Sequence, residues 1–302
     1  MQTIIEIQKR YYQKIALLDL ELLICYALKK SKEFILTYPE YPVTDSQALA
    51  ISELAKRRMK GEPIAYLVGH KEFFGLDFLV NSHTLVPRPE TEMLVEQALH
   101  ETYSMEHEAR DTYIVDVGTG SGCIITAIAS TMEHGTWSME QKKCLRYYAT
   151  DISKEALKVA KKNAKLHSIE KKIKFLNGNL LEPLFHDSCS MFHVPYSMII
   201  IANLPYLSKE IYQSAPRDVK KYEPKTALFS SENGLAHYHE LLKQINQNFA
   251  PCSMLHVSCF LEISPEQKLP LTKIVKTIFP TAKIEFKKDL AGKWRLCKIK
   301  IK

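Results

Sequence analysis

Apolar and polar positions along this chain change period twice. From residue 1 to about 70 the apolar residues recur at helical spacing, and strand-like runs are absent. Ile15 to Leu23 reads as one strong apolar face, and Thr44-Asp45-Ser46 opens a second helical stretch that runs through Leu54 and Met59. Gly61-Glu62-Pro63 breaks that stretch. Residues 72 to 86 alternate instead, so Phe73, Phe74, Leu76, Phe78 and Val80 predict short strands joined at Gly75 and Asn81. Val86-Pro87-Arg88-Pro89-Glu90 is a rigid connector into a helix predicted from Thr91 to His100. Beyond residue 110, short and continuously apolar runs predict buried strands at Tyr113–Val117, Arg146–Thr150, Ile173–Leu176 and Met198–Ala202. The chain closes on a predicted strand pair, Lys283–Phe286 and Trp294–Ile299, around a glycine-containing connection. The expected organisation is a helical domain over 1–70, a hairpin and helix linker over 71–109, and an α/β nucleotide-binding domain over 110–302.

Chemistry enters at the ends of the predicted strands, where open α/β sheets bind ligands. Asp116 and Val117 end one strand, and Gly118-Thr119-Gly120-Ser121-Gly122 follows at once, ahead of a helix beginning at Cys123. Glycines at this density let a backbone approach a ligand closely. Cys123 stands where a dinucleotide fingerprint needs its third glycine, and no Gly-Lys-Ser/Thr follows, so neither a dinucleotide loop nor a phosphate loop is expected. An acid directly before the loop suits a cationic ligand such as a sulfonium. Asp151, at the tip of the next strand, is placed to hold a ribose diol, with Ser153 as cap of the helix beyond.

Asn203-Leu204-Pro205-Tyr206 follows the apolar run Met198–Ala202. The asparagine supplies a carbonyl acceptor, Pro205 holds Leu204 extended, and Tyr206 supplies a flat face. That set suits a planar, conjugated NH2 group, either a glutamine amide or the exocyclic amine of adenine. Such a nitrogen is a poor nucleophile, because its lone pair is delocalised. Acceptors on its N–H bonds orient and polarise it toward an electrophile. Strand, glycine loop, strand, acid, strand and Asn-x-Pro-Tyr is the order of a class I methyltransferase using S-adenosylmethionine.

Composition is compatible with this. The 302 residues are 46% hydrophobic and 25% charged, as in ordinary globular proteins, and can bury a sizeable core. No apolar run approaches the ~20 residues of a membrane span. Glu6, Lys9 and Arg10 argue against a signal-peptide h-region, and seven cysteines without a C-x-x-C pair read as reduced thiols, so a cytoplasmic location is expected. Histidines such as His70 and His83 lack metal-ligand spacing, and no metal is expected. A net charge of +7 invites an anionic partner, yet the lysines between Lys154 and Lys174 read as the solvated face of a helix and its exit. No basic stripe interleaved with aromatics marks a nucleic-acid module.

Four stretches resemble the PrmC/HemK family, which methylates the glutamine side chain of the Gly-Gly-Gln motif in peptide chain release factors. They are Gly61–Leu67 with Lys71–Gly75, Val86–Glu92, the glycine loop, and Asn203–Tyr206. Tyr222-Glu223-Pro224 and Asp289–Gly292 resemble later family landmarks. The resemblance implies a small helical substrate-recognition domain and a β-hairpin linker ahead of a Rossmann-like domain with a seven-stranded, mostly parallel sheet. It implies that Gly118 to Gly122 wrap the methionine part of S-adenosylmethionine, that Asp151 takes the ribose, and that Asn179 and Leu180 border the adenine; Asp116 and Asn203 are expected among the cofactor-binding residues as well. It also implies that Asn203 and the carbonyl of Leu204 bind the substrate amide, with Tyr206 packed on its plane. Two positions depart from the family pattern: Leu204 replaces a proline, and Asn179 stands where an aspartate is common. Asn-Leu-Pro-Tyr is also the motif of ribosomal RNA adenine dimethyltransferases, which place their helical domain after the catalytic one. A glutamine methyltransferase acting on a ribosomal protein is the nearer alternative.

Overall fold

The computed structural model describes residues 2–104, 111–135, 144–186, 197–249 and 256–301. Five helices, Ile4–Tyr11, Leu17–Leu28, Lys32–Thr37, Asp45–Met59 and Ile64–Val68, gather Ile4, Leu20, Leu23, Ile24, Ile35 and Ile51 into a core of their own. Thr3 with Glu6, and Thr44 with Gln47, close capping boxes at two of the helix starts. Two details differ from the sequence expectation. A two-residue strand β1 (Gln2–Thr3) pairs with β2 (Pro42–Val43), too short to show as a run. Ile15 to Leu23 is also not one face: Leu20 and Leu23 are buried while Leu17 and Leu18 are 60% and 55% exposed. A helix turning every 3.6 residues cannot direct successive leucines to one side.

The alternating segment forms a hairpin of β3 (His70–Phe73) and β4 (Leu76–Leu79). Phe74, expected in a strand, sits in the turn: Phe74 and Gly75 have φ of 53° and 71°, as a two-residue turn matched to strand twist requires. The Phe74 amide donates to Glu92 Oε1 at 3.0 Å, anchoring the turn on the helix Glu92–Ser104.

Seven strands build the main sheet: β5 (Thr112–Val117), β6 (Leu145–Asp151), β7 (Ile173–Asn177), β8 (Ser197–Ala202), β9 (His256–Glu262), β10 (Lys283–Lys288) and β11 (Trp294–Ile301). Their order is β10-β11-β9-β8-β5-β6-β7, with β9-β8-β5-β6-β7 parallel, β11 antiparallel to β9, and β10 antiparallel to β11. Every residue of β5 and β8 is buried, which explains why they are apolar apart from Thr112, Asp116 and Ser197. Val115, Val117, Met198 and Ile200 face the layer holding the helix Ala236–Phe249. Ile114, Ile199 and Ile201 face the layer of Glu92–Ser104 and Cys123–His134, under which Phe73 and Phe78 pack. The chain leaves β5 toward β6 and β7, then returns to β8 on the other side. The order therefore reverses between β5 and β8, and a crevice opens at their carboxyl ends. Among the described residues no helix is long and apolar enough to cross a membrane.

Candidate active site at the strand-order reversal

Val117 is in register with Ala202 on one side and Thr150 on the other, so the segments following β5, β6 and β8 emerge together. The glycine loop is fastened to β6: the amides of Gly118 and Thr119 both donate to Thr150 O at 2.9 Å. Gly118, Gly120 and Gly122 take φ of +71°, +57° and +77°, conformations that side chains disfavour. A Cβ at Gly118 would lie 2.8 Å from Leu204 Cδ2, so this glycine is what lets the loop touch the Asn-Leu-Pro-Tyr segment. Gly118 is exposed and Gly120 half-buried toward the crevice, whereas Thr119, Ser121 and Gly122 turn inward.

Asp116 is fully buried beneath the loop. Its Oδ2 accepts from Thr119 Oγ1 at 2.6 Å and from the Ile125 amide at 3.3 Å, tying the loop to the first turn of the helix Cys123–His134. Its contacts are thus with the loop itself, and burial pushes its pKa up to about 7. Asp151 stands at the crevice: Oδ2 accepts from the Gly120 amide at 2.9 Å and Oδ1 from the Ser153 amide at 2.8 Å. Burial raises its pKa, and the two amides pull the other way. Each oxygen keeps a lone pair for a hydroxyl donor. The Gly178 amide donates to Asp151 O at 3.1 Å, which brings the exit of β7 alongside. There Asn179 donates through Nδ2 to Glu182 Oε1 at 3.0 Å, leaving its own carbonyl as the uncommitted end of the amide. Leu180 is buried with φ of 50°.

Beyond β8, Leu204 is buried and Asn203, Pro205 and Tyr206 are half-buried. Asn203 Nδ2 donates to Thr91 Oγ1 at 3.2 Å, and Thr91 Oγ1 donates to Glu262 Oε2 at 2.7 Å. Tyr206 donates its hydroxyl to Glu262 Oε1 at 3.3 Å, and Tyr238 donates to the Glu262 carbonyl. Glu262 ends β9 and is fully buried, which pushes its pKa up to about 7 against the opposing pull of Thr91 and Arg295. Arg88 holds Glu223 at 2.5 Å, joining the connector to the chain beyond the helix Arg217–Tyr222. Arg88, Asn203, Tyr206, Pro216, Leu228 and Glu262 line a cavity of about 310 Å³.

The structure thus gathers Gly118, Gly120, Asp151 and Asn203 to Tyr206 around one crevice, with Asn179 and Leu180 at its margin and Asp116 under its floor. Thr91, within the Val-Pro-Arg-Pro-Glu-Thr segment, and Glu262 carry no role in the sequence expectation, yet both stand beside Asn203. The available signal was a glutamate directly after the apolar run Cys259-Phe260-Leu261. Among the described residues no His, Cys, Asp and Glu cluster could hold a metal.

Residues 7–69 match the family described as PrmC N-terminal domain, and residues 108–276 match the family described as Methyltransferase domain. Release factor glutamine methyltransferase of Nitratidesulfovibrio vulgaris is 33% identical over 277 residues, covering 91% of this chain and 85% of that protein. The proteins of the same name from Enterococcus faecalis and Coxiella burnetii are 36% and 39% identical, covering 78% and 72% of this chain and 74% and 70% of those proteins. Among solved structures, the human METTL16 catalytic domain in complex with an RNA hairpin superposes with a TM-score of 0.54 at 18% identity over 92% of this chain and 90% of that chain. The amino-terminal domain of human METTL16 in complex with SAH gives 0.52 at 15%, over 92% and 93%. At that identity the likeness is one of fold, a class I methyltransferase.

Proposed function

The chain belongs to the release factor glutamine methyltransferases, and from that premise we propose that it methylates the side-chain amide nitrogen, N5, of the glutamine in the Gly-Gly-Gln motif of peptide chain release factors. The observation that supports this reading is the close approach of the exposed Gly118 to Leu204, where an added Cβ would lie 2.8 Å from Leu204 Cδ2, so that the glycine loop and the Asn-Leu-Pro-Tyr segment flank one crevice. S-adenosylmethionine, when bound, supplies an electrophilic methyl group on a sulfonium. The residues present fit it. Gly118 and Gly120 leave the crevice side of the loop without side chains, and Asp151 offers two pre-held carboxylate oxygens for the ribose. Asn179 offers a carbonyl to the adenine amine, without the charge an aspartate would add.

On the acceptor side, Asn203 Oδ1 takes one N–H of the substrate amide and the Leu204 carbonyl takes another. Tyr206 lies on the amide plane. The two acceptors hold the NH2 group so that its lone pair faces the methyl donor, and the enzyme contributes position and electrostatics. Leu204 supplies the same carbonyl as the family proline, with Pro205 holding it extended. We assign the helices of residues 1–70 to reading the protein partner, a role to which the exposed Leu17, Leu18 and Leu49 are suited. Residues 110–302 form the transferase unit in this division.

The test is to supply methyl-labelled S-adenosylmethionine with a release factor, ribosomal proteins and ribosomal RNA in parallel, and to map the label. Label on the Gly-Gly-Gln glutamine is expected; label on RNA or a ribosomal protein instead would overturn the substrate assignment. Asn203→Ala is expected to lower kcat by about 10²–10³ with little change in cofactor affinity. Asp151→Ala is expected to weaken cofactor binding first. Wild-type turnover in the former, or wild-type affinity in the latter, would remove those roles.

A further inference from the structure

A primary amide is nearly symmetric in shape, so an asparagine that must present oxygen to a substrate needs a partner that rejects the opposite orientation. Here that partner is the Thr91 hydroxyl, 3.2 Å from Asn203 Nδ2. A hydroxyl carries one proton. That of Thr91 is committed to Glu262 Oε2 at 2.7 Å, so its oxygen can only accept from Asn203. We infer that Glu262, acting through Thr91, is a positioning device that locks the Asn203 amide with Oδ1 toward the substrate. The inference rests on the proposed role of Asn203 and extends it to two residues outside the Asn-Leu-Pro-Tyr segment.

The direction of the relay depends on Glu262 being an acceptor. An ionised carboxylate can only accept, so donation runs from Asn203 to Thr91 to Glu262. A proton on Oε2 would release the Thr91 hydroxyl to point at Asn203. The amide could then turn and set its NH2 against the NH2 of the substrate. Tyr206 shares the same carboxylate through Oε1, so both substrate-facing side chains answer to one buried group. The groups around Glu262 are Glu90 and Thr91 of the connector, Tyr206, Tyr238, Arg295 of β11, and Arg88 across the cavity. Arg295 is engaged by Asp289 at 2.9 Å and Arg88 by Glu223. Neither arginine is bonded to Glu262, and burial leaves the carboxyl titrating about 7.

Two arms test the relay, one of them independent of turnover. In the ligand-free, 15N-labelled protein, the Asn203 side-chain NH2 resonances are expected to shift with a midpoint near 7. That shift is expected to vanish in Glu262→Gln. A pH-invariant resonance would overturn the relay whether or not the chain methylates a release factor. In the kinetic arm, Thr91→Val removes the acceptor and is expected to lower kcat by about 10²-fold, with KM and cofactor affinity within about 3-fold. Thr91→Ser is expected to restore kcat. Wild-type kcat is expected to rise with pH through about 7, and Glu262→Gln to lose that rise. A Thr91→Val enzyme with wild-type kcat, or a Glu262→Gln enzyme with the rise intact, would overturn the inference. Should Glu262→Gln fail to fold, the Thr91 pair and the wild-type resonance still decide it. Absence of transfer to the release factor by the wild type would overturn the substrate reading alone.

Discussion

Glu262 sets activity against stability. Its pKa is pushed from an ordinary 4.5 to about 7 by burial, and that of Asp116 from 3.8 to about 7. Between the ordinary values and about 7, the folded chain holds protons that the unfolded chain has already lost. Stability is then greatest below about 4 and falls as pH rises to about 7, by on the order of 3 kcal/mol for each fully buried carboxyl. The active form of the relay, with Glu262 ionised, is the less stable one. Urea midpoints measured at about pH 5 and about pH 7.5 are expected to show the wild type less stable at the higher pH, with a smaller drop in Glu262→Gln. Equal drops would mean that Glu262 is already ionised at the lower pH. These residue-scale couplings were only partly legible. That Asn203 to Tyr206, Gly118 and Asp151 meet at one crevice was legible because each stands at or just beyond the end of a predicted strand. Thr91 and Glu262 meet across 171 residues, and neither belongs to a local pattern that announces a hydrogen bond.

At the scale of elements, the buried strands were legible because parallel strands covered on both faces are mostly apolar. Phe74 was misplaced because it keeps the alternation with Leu76, Phe78 and Val80 although it stands in the turn with Gly75. Short helices such as Lys209–Ser214 and Arg217–Tyr222 are six residues each, under two turns, so no helical period could show. The most constrained stretch of the site falls in this illegible region. Glu232, Asn233 and Gly234 run in succession with φ of 53°, 54° and 86°, and a Cβ at Gly234 would collide with the Tyr206 carbonyl. Gln267 Nε2 ties the two by donating to Gly234 O at 2.8 Å and to Tyr206 O at 3.3 Å. Gly234→Ala is expected to displace the Tyr206 backbone and lower kcat by about 10-fold or more, with a stability loss of about 1–3 kcal/mol. Methyl-transfer rates and urea midpoints of the variant check both; an unchanged kcat would show that the Tyr206 backbone has slack.

Across the whole molecule, the division into helical segment, hairpin and sheet was legible from changes of period, and the lysines from Lys154 to Lys174 are all exposed, as a solvated face requires. What no period reveals is how the parts are coupled. Asn163, on the buried side of the lysine-rich helix Lys154–Leu166, does this with a single fully buried side chain. Its Nδ2 donates to Leu79 O at 2.9 Å and to Ser121 O at 2.8 Å, and its Oδ1 accepts from the Leu79 amide at 2.8 Å. The hairpin strand β4, the helix and the glycine loop therefore share one amide. Alanine at this position would leave the buried Ser121 carbonyl without its partner, at a cost of about 1–3 kcal/mol, and would free the part-buried amide and carbonyl of Leu79 at a smaller cost. Asn163→Asp would keep the size and the acceptor but lose both donors to carbonyls. Both variants are expected to melt several degrees lower, and because Ser121 belongs to the cofactor loop, both should also bind S-adenosylmethionine more weakly. Thermal unfolding with and without cofactor separates the two effects. A lower melting point with unchanged cofactor affinity would mean that Asp116, Thr150 and Asp151 hold the loop without Asn163, and that the hairpin is a neighbour of the active site rather than part of its support.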